Sequence, residues 1–188
     1  MNIGILALQG AFEEHKKVFE SLGVSSKEIR QKKDLSGIDA IVLPGGESTV
    51  QGQLLRKLDI FIELKKLIEA GLPTLATCAG AILLAKKIEN DPDSHLATLP
   101  VTIRRNAYGR QLGSFKSLLD FDDIKDYPAV FIRAPYFTEL GQGVQILSQN
   151  GSEIVAVKYK NQLAMSFHPE MTSDTRIHKK FLEIYGNG

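Results

Sequence analysis

The amino-acid sequence predicts an α/β protein: an open, mostly parallel sheet with helices on both faces. Two observations lead there. In the first half of the chain, short unbroken aliphatic runs alternate with longer segments that are apolar along one stripe only. Unbroken runs suit strands buried on both faces, and strand–helix–strand repetition gives parallel strands joined by right-handed crossovers. Sheets of this type gather their ligands beyond the carboxyl ends of the strands. The residues just after each predicted strand are therefore the ones to inspect for chemistry.

Residues 3–8 (IGILAL) read as the first buried strand, turned by Gln9-Gly10. Phe12, His15, Phe19 and Leu22 then recur at spacings of three and four, a helical stripe that stops at Gly23. Residues 39–43 are the next strand, ended by Pro44-Gly45-Gly46. Residues 60–70 are helical in pattern, with Gly71 as the cap. Residues 72–77 read as another strand and 79–87 as another helix. The second half is richer in strands, at 101–104, 115–119, 129–132, 144–147, 154–159 and 163–167. A last helix runs from about 174 to 185. Residues 90–111 carry few periodic signals and are expected to be irregular.

No linker divides the chain, and 188 residues with 43% hydrophobic content suit one domain spanning residues 1–188. Lys and Arg number 23 against 22 Asp and Glu, a net charge of +1 with no long run of one sign. That balance offers no attraction to nucleic acid or to an anionic membrane surface. One cysteine makes neither an internal disulfide nor a thiolate metal site, which points to the cytoplasm. The apolar run at residues 3–8 is too short for a membrane span, and the charges at 13–17 that follow do not suit a signal peptide.

Three stretches at predicted strand ends carry chemistry. In Ala76-Thr77-Cys78-Ala79-Gly80 a strand runs into a cysteine and straight into a helix, the layout of a nucleophile elbow. Small neighbours keep the tight backbone free of clashes, and a helix N-terminus favours the attacking thiolate. A lone cysteine on an apolar strand is otherwise a core residue. In Ser166-Phe167-His168-Pro169-Glu170, extended backbone would place His168 and Glu170 on one face, stiffened by Pro169. A carboxylate beside an imidazole fixes its tautomer and leaves the other nitrogen free to act as a base. A surface turn with a chance His/Glu pair is the plainer reading. Together, the elbow and the His-x-Glu favour nucleophilic catalysis. In Pro44-Gly45-Gly46-Glu47-Ser48-Thr49 the glycines expose backbone N–H groups, and Ser48 or Thr49 is placed to cap a following helix. This stretch lacks the lysine of a phosphate-binding loop.

Taken in order, these pieces together with Ala7-Leu8-Gln9-Gly10, Arg105-Asn106-Ala107-Tyr108-Gly109-Arg110-Gln111 and Phe131-Ile132-Arg133-Ala134-Pro135 resemble the class I, triad-type glutamine amidotransferases. Within that class the match is to the glutaminase subunits of pyridoxal 5′-phosphate synthase, and it covers essentially the whole chain. One departure is Ala76, where the elbow of the class usually has glycine; a slightly tighter turn is expected.

The resemblance implies a flavodoxin-like fold and glutamine hydrolysis through a Cys78–His168–Glu170 triad. It implies oxyanion donors at Gly46 and Ala79, and substrate contacts at Gly46, Glu47, Ser48, Arg105, Ile132 and Arg133. Glu47 suits the substrate ammonium and Arg105 its carboxylate. It also implies a barrel-shaped synthase subunit as partner, no cofactor and no metal. A partner-driven turn of the Gly45-Gly46 peptide is expected to set the oxyanion site. Three rivals remain: a glutaminase subunit of another pathway, a Cys-elbow peptidase or chaperone of similar fold, and a non-catalytic binding module. His15, His95 and His178 match none of the motifs and read as ordinary helix-face or loop residues.

Overall fold

A computed structural model describes residues 1–106 and 113–186. The Ala107–Gln111 part of the Arg105 motif thus lies outside the described residues. The chain opens with β1 (Ile3–Leu6), α1 (Phe12–Ser21), β2 (Ser26–Ile29) and β3 (Ala40–Leu43). Helices α2 (Ser48–Lys57) and α3 (Phe61–Glu69) lead to β4 (Thr74–Thr77), α4 (Ala79–Leu84) and β5 (Ala85–Ile88). The second half runs through β6 (Leu99–Arg104), β7 (Ser114–Phe121), β8 (Ile124–Ile132), β9 (Tyr136–Leu140), β10 (Gln145–Asn150), β11 (Glu153–Tyr159) and β12 (Gln162–Met165). A 3-10 turn at Pro169–Met171 and α5 (Arg176–Tyr185) complete it.

The main sheet has the order β2-β1-β3-β4-β12-β11-β9-β6-β5, with β10 added antiparallel beside β11. From β2 to β12 every pairing is parallel, and the edge pair β5–β6 is parallel too. The pairings of β11 with β12 and β9, and of β6 with β9, are antiparallel. The expected mostly parallel, doubly covered α/β sheet is what the chain forms. In the parallel strands, successive residues feed opposite layers. Leu6, Ile41, Leu43, Ala76 and Ala164 pack with α2, α3 and α4, while Ile5, Val42, Leu75 and Met165 pack with α1 and α5. The β7–β8 hairpin stands outside the sheet and lays Phe121, Tyr127 and Phe131 on the second layer, around Phe167.

Some local readings change. The segment after Cys78 is one short helix followed by strand β5, not one helix to residue 87, because Ala85-Lys86-Lys87-Ile88 pairs with β6, its two ends buried and the lysines between them exposed. Within the stretch expected to be irregular, β6 extends back to Leu99. Strands β2 and β9 are additions: β2 is mixed in burial and lies at the sheet edge, so its sequence lacks an apolar run. Neither Ser48 nor Thr49 caps α2, since both lie within its first turn and Glu47 holds the cap position without a side-chain bond. No helix among the described residues is long and apolar enough to cross a membrane.

His15, His95 and His178 lie on helices or in a loop as expected, and all three are buried. His15 on α1 and His178 on α5 are fully buried between helices and sheet, with the Phe19 ring edge-on to His178 at 5.2 Å. His95 lies in the loop before β6 with its ring against Gly52, where any Cβ would collide with it. Burial, then the neighbouring His15, push the pKa of His178 down to about 3 against the attraction of Glu170. Burial likewise lowers that of His15. Released by unfolding, His178 takes up a proton near its ordinary pKa of 6.5, whereas the folded residue resists until about 3. Across that window the unfolded chain binds the extra proton, so stability falls as pH is lowered. The drop in urea midpoint between about pH 7 and pH 4.5 should therefore be smaller in His178→Leu than in the wild type. Equal drops in the two proteins would assign the acid sensitivity to other groups.

Candidate active site

Strands β3, β4 and β12 lie side by side and parallel, with register partners Leu43–Ala76 and Ala164–Ala76. Their carboxyl ends therefore bring three separate stretches to one edge: Pro44–Ser48, Cys78 and His168. Cys78 occupies φ 48° and ψ −104°, a conformation that costs a non-glycine residue about 1–3 kcal/mol. The surroundings hold it there. Its N–H donates to the Met165 carbonyl at 2.8 Å, and α4 begins at the next residue. Gly80 lets α4 press on β3, because a Cβ there would collide with the Leu43 carbonyl oxygen. Ala76 is fully buried within β4, and the elbow forms with it.

The His-x-Glu geometry arises differently from the extended backbone expected. His168 is extended, at φ −109° and ψ 90°, but Pro169–Met171 is a 3-10 turn that folds Glu170 back behind the imidazole. Proline at the first position of that turn is what starts it. The result is a 2.6 Å hydrogen bond between His168 Nδ1 and Glu170 Oε1, with the Glu170 side chain fully buried. The His168 N–H donates to the Val130 carbonyl of β8 at 2.8 Å, so the hairpin also fixes this residue.

Electrostatics separate the partners. Burial opposes a charge on His168, but its hydrogen bonds to Cys78 and Glu170 and the nearby Glu170 carboxylate outweigh it and push its pKa up to about 10. His168 thus carries a proton at neutral pH and faces the sulfur. Burial would raise the Glu170 pKa, but His15 and the bond to His168 bring it below the ordinary carboxylate range. Glu170 is therefore ionised and holds the imidazolium from behind.

Cys78, Ile132, His168 and Arg105 line a cavity of about 410 Å³ whose rim includes Gly46, Glu47, Ser48 and Arg133. That volume suits a small metabolite. All the expected binding residues except Ala79 border it; Ala79 is buried at the first position of α4, behind the cysteine. Arg105 Nη1 is held by Asp91 Oδ2 at 2.8 Å, while Arg133 is exposed in left-handed backbone at φ 42°. The Cys78 thiol lies 3.8 Å from the Ile132 carbonyl. Among the described residues, no group of three or more His, Cys, Asp or Glu is arranged to hold a metal ion.

Three further residues shape the site. Gln9 Oε1 accepts from the Glu47 N–H at 2.7 Å and Thr77 Oγ1 accepts from the Gly45 N–H at 3.0 Å, fixing both sides of the glycine pair. Asp91 aims Arg105. Gln9 and Thr77 belong to stretches already singled out; Asp91, in the stretch expected to be irregular, had no signal of its own. The Gly45 carbonyl accepts from the Ala11 N–H at 3.0 Å, so turning the Gly45-Gly46 peptide breaks a hydrogen bond and is not free. A side chain at Gly45 would strike the His168 ring, and one at Gly10 the Gly45 carbonyl.

Known proteins resemble this chain over nearly its whole length. The chain is 53% identical over 189 residues to a protein of Desulfitobacterium hafniense named pyridoxal 5′-phosphate synthase subunit PdxT, covering all of this chain and 95% of that one. A Streptococcus pneumoniae protein of the same name is 47% identical over 98% of this chain and 97% of its own. A crystal structure described as a glutamine amidotransferase superposes with a TM-score of 0.94 at 46% identity, covering 98% of both chains. The PurLQS structure from Thermotoga maritima, at 15% identity and a TM-score of 0.71, shares the fold alone. The model of the SNO glutamine amidotransferase family matches residues 5–186, and the chain belongs to that family.

Proposed function

We propose that this protein hydrolyses L-glutamine to L-glutamate and ammonia and passes the ammonia to a synthase subunit that makes pyridoxal 5′-phosphate. It would act in the cytoplasm as a single domain, residues 1–188. The observation that carries the reading is the strained Cys78 elbow facing a protonated His168 held by an ionised Glu170. The family and the printed names of the relatives support the substrate and the pathway.

In this mechanism Cys78 Sγ forms a bond to the amide carbon of glutamine, and the carbonyl electrons move to its oxygen. Backbone N–H groups of Ala79 and Gly46 would stabilise that oxyanion. His168 gives its proton to the departing nitrogen as the carbon–nitrogen bond breaks, releasing ammonia and leaving a thioester. His168 then takes a proton from water as the water oxygen attacks the thioester. The second tetrahedral species collapses to glutamate and frees the sulfur, and the proton stays on His168. Glu170 keeps the imidazole in one tautomer throughout. Glu47 and Arg105 would receive the ammonium and carboxylate of the substrate, with Ser48, Ile132 and Arg133 closing the pocket.

Replacing Cys78 with Ala should cut glutamate release by several orders of magnitude while the thermal unfolding curve is retained. Activity above about a tenth of wild type would remove Cys78 from the nucleophile's role. Arg105→Lys keeps the charge but loses the planar fork, and should raise KM by the equivalent of about 1–3 kcal/mol. An unchanged KM would return Arg105 to its pairing with Asp91 alone. Titrating the synthase subunit into the full chain should raise glutamine turnover, since a productive Gly46 N–H must be won against the Ala11–Gly45 bond, worth about 0.5–1.5 kcal/mol. Equal turnover with and without the synthase would sink the switch and leave the triad standing.

A further inference from the structure

We propose that His15, backed by His178, is a positioning residue of the glutaminase site: it steadies Glu170 and the glycine loop through one buried chain of side chains. The proposal rests on the glutaminase reading above. His15 Nδ1 lies 3.0 Å from His178 Nε2, and His15 Nε2 lies 3.2 Å from Thr77 Oγ1 and 3.3 Å from Glu170 Oε2. The hydroxyl of Thr77 in turn accepts the Gly45 N–H at 3.0 Å. One imidazole thus touches the carboxylate behind His168 and the hydroxyl that holds the loop beside Cys78. All three residues, His15, His178 and Thr77, are fully buried.

The chemistry selects one arrangement of protons. Glu170 is ionised, and its Oε2 has no aligned donor among the described residues, so a lone pair of His15 pointing at it would repel. The favourable tautomer places the proton on His15 Nε2, aligned on Thr77 and close to Oε2. His15 Nδ1 then accepts from His178 Nε2–H. On the opposite side, His168 Nδ1–H donates to Oε1. The N–H groups thus run in one direction, from His178 to His15 and from His15 to Thr77, with the carboxylate close beside the last of them. Such a row holds the anion without adding a second buried charge. The charged and titratable groups around His15 are Glu170 on the 3-10 turn, His178 on α5, His168 after β12 and Glu14 on its own helix. Of these, burial dominates and keeps His15 neutral.

The test compares His15→Leu, which fills the space without a donor, with His15→Gln, which can still send an N–H to Glu170. Glutamate release is measured on the full chain with its synthase, alongside thermal unfolding and the pH titration of the His168 imidazole by NMR. In His15→Leu, kcat should fall by roughly ten- to a hundredfold, the usual cost of losing a partner behind a catalytic group, with KM within about twofold. Glu170 would protonate more readily, so the acid limb of the kcat profile should move to higher pH, and the His168 titration to lower pH. His15→Gln should recover most of the loss, and His178→Leu should show the same shifts at smaller amplitude. If His15→Leu does not fold, His15→Asn, whose amide falls short of Glu170, takes its place. Folded variants with an unmoved acid limb, an unmoved His168 titration, or equal activity for the Gln variant and its shorter partner would overturn the proposal. A wild type without glutaminase activity would instead overturn the function, and the His168 titration would still decide the positioning role.

Discussion

The backbone of Cys78 is the constraint on which the site depends. A side chain at φ 48° and ψ −104° lies in a conformation that an isolated peptide avoids. It persists because a parallel strand on one side and a helix on the other over-determine it. The turn has room only because Gly80 has no side chain, and it is anchored only because β12 supplies the Met165 carbonyl. The strain has a consequence for chemistry: it lifts the sulfur out of the strand's alternation and aims it along the sheet edge, toward His168. Relaxing Cys78 to ordinary strand angles would return its side chain to one of the two apolar layers.

The same edge explains why the site needs several strands. Parallel strands end together, so β3, β4 and β12 deliver the glycine loop, Cys78 and His168 to one place. The contacts on the far side come from outside the sheet: β8 of the separate hairpin contributes the Val130 carbonyl that fixes His168 and the Ile132 carbonyl beside the sulfur. Cys78 and His168 are thus held between the ends of the parallel strands and the hairpin.

Much of this was legible in the sequence, for a physical reason. Short runs without charge at β1, β3, β4 and β12 report burial on both faces, and glycine at 23 and 71 reports helix ends with positive φ. Cys78, His168 and Glu170 were readable because Gly80 leaves room for a tight turn and Pro169 restricts the backbone beside His168. Strand β2 was not readable, since an edge strand with half-buried Ser, Lys and Glu leaves no apolar pattern. Helix α4 was overextended because Ala, Ile and Leu suit helix and strand alike, and only pairing with β6 decides for β5. The bond from Ala11 to Gly45 joins residues far apart in sequence, so no local pattern could announce it.

His15 shows the limit most clearly. Its place in a stripe with Phe12 and Phe19 reports burial but not purpose, because a stripe says which face is covered and not what covers it. His178 comes from the last helix, 163 residues away, and the two meet only through the fold. A buried carboxylate needs compensation, and a second lysine or arginine would bring its own desolvation cost. A neutral imidazole offers one donor and one acceptor at fixed angles, so it can pass orientation from one group to the next without passing charge. Two in series extend that control from α5, through α1, to Glu170. The position of Glu170, and through it of the His168 imidazole, is thereby tied to the packing of two helices against the sheet as well as to the short turn that carries it.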